Sequence, residues 1–299
     1  MGAKMNKEIK IVAVVGTGTL GTQIAMQSAY ANYHVKIFDI KEGSFQNALK
    51  ISKDLERLVP PDRWPFCLDN IQHAENLKEA VRDAELVIEV VPEDLGLKRN
   101  VWVDIGKKAH KDAILATNSS SIPVSRLEES SGSPERCLNL HFYIGMNMVD
   151  IMEGTRTLPQ VMKRGINWIR SLECIPLTVK KELLGFCFNR VWRAVKREVL
   201  NMWANGFVDF RDVDRAWMIF NGMNKNTERF GPFALMDKVG LDVIYDIEMV
   251  YYNDSKDPKD RPPKELKEKI ARGELGVKSG RGFYTYPEPE YMKPDFLNP

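Results

Sequence analysis

Residues 9–39, IKIVAVVGTGTLGTQIAMQSAYANYHVKIFD, impose an order that few folds can host: strand, glycine turn, helix, second strand, carboxylate. The run Ile9–Val15 is almost wholly apolar and rich in β-branched residues, as in a strand buried on both faces of a parallel sheet. Gly16, Gly18 and Gly21 then form G-x-G-x-x-G. The first glycine allows the sharp turn, the second lets a pyrophosphate approach the backbone, and the third brings the helix against the sheet. Thr19 and Leu20 lie inside this turn, where the free amides and the positive end of the helix dipole, about half a charge, face phosphates. Leu20, Ile24 and Ser28 follow at four-residue spacing, so the helix can lie flat on the sheet. His34–Phe38 supplies the second strand, and Asp39 stands at its end, eighteen residues after Gly21. A carboxylate there accepts both adenosine-ribose hydroxyls and repels a 2′-phosphate, which favours NAD over NADP, with Lys41 nearby as a counterweight. A lone glycine triplet often marks an ordinary turn. In register with the strand, the helix and Asp39, it points to a dinucleotide site and makes an oxidoreductase the first hypothesis.

At 299 residues the chain is long for a single core, and two domains are expected. Net charge is +2 with no dense Lys/Arg tract, so nothing points to nucleic acid or to an anionic membrane. The longest apolar runs have strand length, short of a membrane span. The first strand begins within ten residues of Met1, which leaves no room for a secretory signal, and Asn6 breaks the myristoylation pattern. Cys67, Cys137, Cys174 and Cys187 form no C-x-x-C and read as reduced thiols of a cytoplasmic protein. The four histidines, His34, His73, His110 and His141, show no metal-ligand spacing, so no metal is expected.

The first half alternates strand and helix. A helix is expected from about Ser44 to Leu58, ended by Pro60-Pro61, and strands at Leu86–Val91, Ala113–Thr117, Leu138–Phe142, Val149–Glu153 and Cys174–Val179. A helix near Leu158–Leu172 completes a Rossmann-type doubly wound α/β sheet over residues 1–182. From residue 183 the pattern turns all-α. Phe188, Val191, Val195, Val199 and Met202 make an apolar stripe, and shorter helices are expected at about 210–220, 233–252 and 264–272. This apolar content exceeds what so small a bundle needs. It serves either a subunit interface or packing on the first domain.

Oxidising an alcohol removes hydride from carbon and a proton from oxygen, so a base that titrates near neutrality is wanted. His141 ends the strand Leu138–Phe142, on the side where open α/β sheets place ligands. Glu153 ends another strand twelve residues later. If the two strands are neighbours, the carboxylate can hold one imidazole nitrogen as N–H and leave the other free for the substrate proton. Spacing alone leaves both a catalytic and a structural use of this pair open.

The stretches VAVVGTGTLG, ELVIEVVPEDLGLK, ILATNSSSIPVSRL, LNLHFYIGMNMVDIMEG, GFCFNR, GPFALMDKVGLDV and GVKSGRGFYTY occur in this order across nearly the whole chain. Together they resemble the 3-hydroxyacyl-CoA dehydrogenase family. The resemblance implies an NAD-binding domain followed by a helical domain that forms a homodimer, with reversible oxidation of the 3-hydroxyl of L-3-hydroxyacyl-CoA esters. By position it makes His141 the catalytic base, Glu153 its orienting carboxylate and Ser120 the serine that hydrogen-bonds the reacting oxygen, while Ser121 caps the following helix. It gives Asn189, at the start of the long C-terminal helix, a place facing the active site. Glu93 and Lys98 match residues near the ribose and nicotinamide of the cofactor, and Lys278 a lysine that reaches it from the last loop.

Two departures bear on the substrate. The family has Asn-Pro three residues after the histidine, where this chain has Ile144-Gly145, so the pocket beside the nicotinamide is altered and more apolar. The family's long hairpin that holds the CoA nucleotide is shortened, and its CoA-binding serine and lysine correspond to Ala48 and Leu55. Lys50, Lys53 and Arg57 on one helix face could replace them, or form an ordinary solvated face. Three readings follow: a 3-hydroxyacyl-CoA dehydrogenase, the same chemistry on a free acid such as L-gulonate, or a non-catalytic NAD-binding protein.

Overall fold

The computed structural model describes residues 9–51, 53–223 and 229–297. It divides into two compact units, one ending at Cys187 and the other beginning at Phe188. Residues 183–187, expected to open the helical part, belong to the first unit.

The first unit runs β1 (Ile11–Val15), α1 (Thr19–Tyr30), β2 (His34–Phe38), α2 (Ser44–Ile51), α3 (Trp64–Asp69), β3 (Ile71–His73), α4 (Leu77–Val81) and β4 (Leu86–Glu89). It continues with α5 (Leu95–Lys108), β5 (Ile114–Thr117), β6 (Cys137–Phe142), β7 (Met148–Glu153), α6 (Pro159–Ser171) and β8 (Ile175–Val179). The eight strands form one sheet in the order β3-β2-β1-β4-β5-β6-β7-β8. Neighbours are parallel except β6 and β7, which form an antiparallel hairpin.

The two-residue period of a strand explains why the central strands read as unbroken apolar runs. Val12, Val14, Leu86, Ile88, Ile114, Leu138 and Leu140 join one core with Ile24 of α1 and Trp168 of α6. Their alternates Ala13, Val15, Val87, Leu115 and Cys137 join the other, with Val81 of α4 and Trp102 and Ile105 of α5. His141 and Asn139 alternate with Leu138, Leu140 and Phe142, which fixes the face of the sheet that they occupy.

The helix expected over 44–58 is shorter: α2 stops at Ile51, and a 3₁₀ segment takes Lys53–Arg57. The single α-helical face expected to carry Lys50, Lys53 and Arg57 is therefore not formed, since Lys50 lies in α2 and the other two in the 3₁₀ segment. The short strand β3 and the helices α3 and α4 went undetected in the sequence because each is too brief for a periodic signal.

The second unit comprises α7 (Phe188–Ala204), α8 (Phe210–Phe220), α9 (Pro232–Val239), α10 (Leu241–Ser255) and α11 (Lys264–Ala271). The single helix expected over 233–252 is two, broken at Gly240, whose φ is 104°. Phe233, Met236, Leu241, Ile244, Leu200 and Phe283 form its core. Cys67, Cys137 and Cys174 are buried free thiols, while Cys187 is exposed. No helix among the described residues is long and apolar enough to cross a membrane.

One close approach in the first unit reverses a general rule. Alanine normally stabilises a helix interior over glycine by about 1 kcal/mol. A Cβ on Gly106 of α5, however, would lie 2.0 Å from the Ser131 carbonyl oxygen. Gly106→Ala is therefore expected to destabilise the protein by about 1–3 kcal/mol in urea unfolding. A gain in stability would show that α5 and the 128–131 turn do not pack as described.

Candidate active site

The glycine turn has the shape that a dinucleotide requires. A Cβ on Gly16, where φ is +100°, would sit 2.6 Å from the Val90 carbonyl oxygen, and one on Gly21 would sit 1.9 Å from that of Gly16. Beside Gly18 there is open space instead, with nothing within 4 Å of a Cβ. No side chain caps α1, so the amides of its first turn, at Thr19 and Leu20, are left for an anion. Asp39 accepts from the Thr17 amide at 2.6 Å and hydroxyl at 3.1 Å, and from the Lys41 amide at 2.8 Å. Burial pushes its carboxyl up, but these donors outweigh burial and hold it below the usual carboxylate range. It lines a cleft of about 550 Å³ with Thr17, Ile40, Phe45 and His73. The fixed negative charge and the open ground beside Gly18 fit the adenosine ribose and pyrophosphate of NAD.

Behind this turn, Glu89 at the end of β4 is fully buried. It accepts from the Lys98 ammonium at 2.7 Å, the Trp102 indole at 3.1 Å, the Thr117 hydroxyl at 2.9 Å and the Val91 amide at 2.8 Å. Lys98 is only 1% exposed and also donates to the Val91 carbonyl at 2.9 Å, so it is neither solvated nor free. Its ammonium lies 3.4 Å from Glu93. Glu93 in turn binds the serine loop, accepting from the Ser119 hydroxyl at 2.5 Å and from the Ser121 amide and hydroxyl at 2.9 and 2.7 Å. Burial raises the Glu93 carboxyl, and the Ser119 hydroxyl, Lys98 and Ser121 bring it below its ordinary range. Ser121 thus holds Glu93, and the 3₁₀ turn after Pro123 has no side-chain cap.

The loop that Glu93 holds places Ser120 beside His141, with its hydroxyl 3.1 Å from Nε2. On the other side of the ring, Nδ1 faces Asp150 at 3.4 Å. The carboxylate expected there was Glu153, and the structure places it elsewhere. The β6–β7 connection spans only residues 143–147, and in the resulting register His141 lies opposite Asp150 while Glu153 lies opposite Leu138. Three residues along a strand amount to about 10 Å and an exchange of faces. Glu153 is accordingly exposed at the strand end, whereas Asp150 is fully buried. Counting twelve residues from the histidine presumes a longer turn than this chain has.

Further contacts surround the ring, one from two residues along the chain and the others from distant segments that carry no sequence signal. Tyr143 meets it edge-on, at 4.5 Å between centroids, and its hydroxyl donates to Asp150. Phe186 stacks on it at 4.9 Å and 9°. Phe186 holds a φ of 53°, unusual for a bulky residue, and packs with Met152 and Val179. The Cys187 amide donates to the second oxygen of Asp150 at 3.3 Å. Gln23 of α1 clamps the turn after β6, donating to the Tyr143 carbonyl and accepting from the Gly145 amide, each at 3.0 Å. Ile144, within that turn, is half exposed.

Asn189 falls in the first turn of α7, in the second unit. Lys278 of the same unit is 2.6 Å from Asp242. Among the described residues no cluster of three or more His, Cys, Asp or Glu side chains could hold a metal. In the first unit the arrangement can accept a proton at Nε2, hydrogen-bond an oxygen through Ser120, and keep Nδ1 protonated through Asp150.

A model of the 3-hydroxyacyl-CoA dehydrogenase NAD binding domain matches residues 11–183, and one of the corresponding C-terminal domain matches residues 185–286. A 3-hydroxybutyryl-CoA dehydrogenase of Mycobacterium tuberculosis is 32% identical over 295 residues, covering 94% of this chain and 100% of its own. A 5-formyl-3-hydroxy-2-methylpyridine 4-carboxylate 5-dehydrogenase of Mesorhizobium japonicum is 30% identical, with 95% and 93% covered. Among solved structures, a diketoreductase that acts on dicarbonyl compounds superposes with a TM-score of 0.80 at 32% identity, with 94% and 100% covered.

The site carries two expectations. Asp150→Asn lowers turnover by about 10²–10³-fold in steady-state assays, whereas Glu153→Gln stays within about twofold of wild type. The reverse ranking would restore Glu153 as the partner of the imidazole. Asp39→Ser narrows the ratio of NADP to NAD dissociation constants by about tenfold or more, the value of about 1.4 kcal/mol. An unchanged ratio in titration calorimetry would remove Asp39 from ribose recognition.

Proposed function

Since the chain belongs to the 3-hydroxyacyl-CoA dehydrogenase family of NAD-dependent oxidoreductases, we propose that it reversibly oxidises the 3-hydroxyl of an L-3-hydroxyacyl-CoA, with His141 as the base. The observation that carries this reading is the sequence of contacts Asp150–His141–Ser120, in which Nδ1 faces Asp150 and Nε2 faces the Ser120 hydroxyl, the group that would share a substrate oxygen with it. Held at the glycine turn and by Asp39, NAD would supply the acceptor for the hydride of carbon 3. Asp150 holds Nδ1 as N–H, which fixes the tautomer and leaves the Nε2 lone pair for the hydroxyl proton. Ser120 donates to the same substrate oxygen as it becomes a carbonyl. As the proton arrives, Asp150 stabilises the imidazolium. In reduction the protonated ring returns that proton to the carbonyl oxygen. One proton is released per oxidation, so oxidation gains with rising pH and reduction with falling pH.

A second reading keeps this chemistry and replaces the thioester with a free hydroxy acid or another small carbonyl compound. Two residues favour it. Leu55 is fully buried in the core beneath α1 and Ala48 is nearly so, so the positions matching the family's CoA contacts offer no polar group. Arg57, one of the candidate replacements, lies 3.9 Å from Asp54. The names of the relatives divide in the same way, between a CoA ester and a pyridine carboxylate or dicarbonyl substrate. By resemblance the protein is a cytoplasmic homodimer formed through its helical unit, where α8 leaves Ile219 and Phe220 exposed.

A turnover panel of 3-hydroxybutyryl-CoA, acetoacetyl-CoA, free 3-hydroxybutyrate and L-gulonate, followed by NADH absorbance, separates the readings. The CoA reading expects kcat/KM for the esters to exceed that for free acids by at least about 10²-fold, and His141→Gln to lower it by about 10²–10⁴-fold. Preference for a free acid would transfer the proposal to the second reading, and indifference to His141→Gln would end both.

A further inference from the structure

Asp150 poses a problem that the relay by itself does not solve. A carboxylate with no exposed surface is costly unless donors surround it. His141 Nδ1, at 3.4 Å, is at the long end of hydrogen-bond range and satisfies little of that need. Two other donors come closer or reach the other oxygen. The Tyr143 hydroxyl makes the tightest contact, on Oδ2, the same oxygen that His141 faces. The Cys187 amide takes Oδ1 at 3.3 Å. The Tyr143 ring already packs edge-on against the imidazole, and packing needs no hydroxyl.

We propose that Tyr143 is a positioning residue of the relay: its hydroxyl shares Oδ2 with His141 and thereby sets how strongly Asp150 draws a proton onto the imidazole. The proposal rests on His141 being the base. The groups facing the ring are Asp150 from β7, the Tyr143 phenol just beyond β6, the Ser120 hydroxyl from the loop after β5 and the Phe186 ring near the end of the first unit. Exposed Cys187 follows Phe186, and the Glu93–Lys98 pair lies behind the serine loop. Among these, Asp150 is the charge in contact with the imidazole, and Tyr143 is the side-chain donor that competes for its oxygen. A hydrogen bond to a carboxylate withdraws charge from it and weakens its hold on a neighbouring cation. Tyr143 thus steadies Asp150 while moderating the basicity of His141.

Tyr143→Phe removes the hydroxyl and keeps the ring. The His141 imidazole titration, followed by NMR without NAD and assigned by the signal lost in His141→Gln, is expected to move up by about half a pH unit or more. The acidic limb of the oxidation rate moves the same way, kcat falls roughly tenfold, the value of one charge-assisted hydrogen bond, and KM for NAD is unchanged. In an Asp150→Asn background the same change shifts neither the titration nor the limb. Should Tyr143→Phe fail to fold, 3-fluorotyrosine in place of Tyr143 strengthens the donor and is expected to move the titration down. A titration that stays put or moves the other way in the folded variant, or that shifts equally without the Asp150 carboxylate, overturns the proposal. Normal turnover with an unmoved titration refutes only the role of Tyr143. Absence of turnover on every hydroxy substrate refutes the catalytic reading and leaves the titration to decide the coupling of Tyr143 to His141.

Discussion

The register of the β6–β7 hairpin is the constraint from which the rest of the site follows. A five-residue connection brings His141 opposite Asp150, and the strand period puts both on the face that Met152 shares with Val179 and Phe186. A change of register by one residue would send Asp150 into the apolar layer with Val149 and Ile151. The register is therefore held by the burial of those neighbours, and Gln23 reinforces it by clamping the turn to the helix of the dinucleotide site. The strand that carries His141 and the helix that follows the glycine turn are thus joined through one side chain.

A second polar assembly supports the other side of the imidazole. The cost of burying Glu89 is offset by four donors that converge on it, and Lys98 is held between Glu89, the Val91 carbonyl and Glu93. Glu93 then organises Ser119 and Ser121 on either side of Ser120. Removing one member of such a set leaves an unpaired buried charge, so these residues stand or fall together. Lys98 belongs to this framework, and its contact with Glu93 couples it to the serine loop.

In the helical unit, two buried carboxylates explain residues that resemble mere sequence motifs. Asp237 accepts from the amides of Phe283 and Tyr284 and from the Tyr286 hydroxyl, which ties GRGFYTY to α9. Asp214 accepts from the amides of Phe233 and Ala234 at the start of α9 and from the Tyr284 hydroxyl. The aspartates serve as caps and fasteners for segments far apart in the chain.

The sequence by itself determined the elements whose signals are local. The runs of β1, β4 and β5 are apolar because both faces are buried, the glycine triplet is dictated by backbone approach, and Asp39 and His141 stand at strand ends where ligands gather. Tertiary structure decided everything that depends on which strand ends meet. It set Asp150 rather than Glu153 opposite His141, buried Lys98, and brought Tyr143, Phe186 and the Cys187 amide to the imidazole and its carboxylate. The physical reason is that spacing along a chain fixes a side chain's direction only within its own strand or helix. Partnership across strands is fixed by turn length and by the burial of neighbouring side chains, which appear only when the whole sheet is assembled.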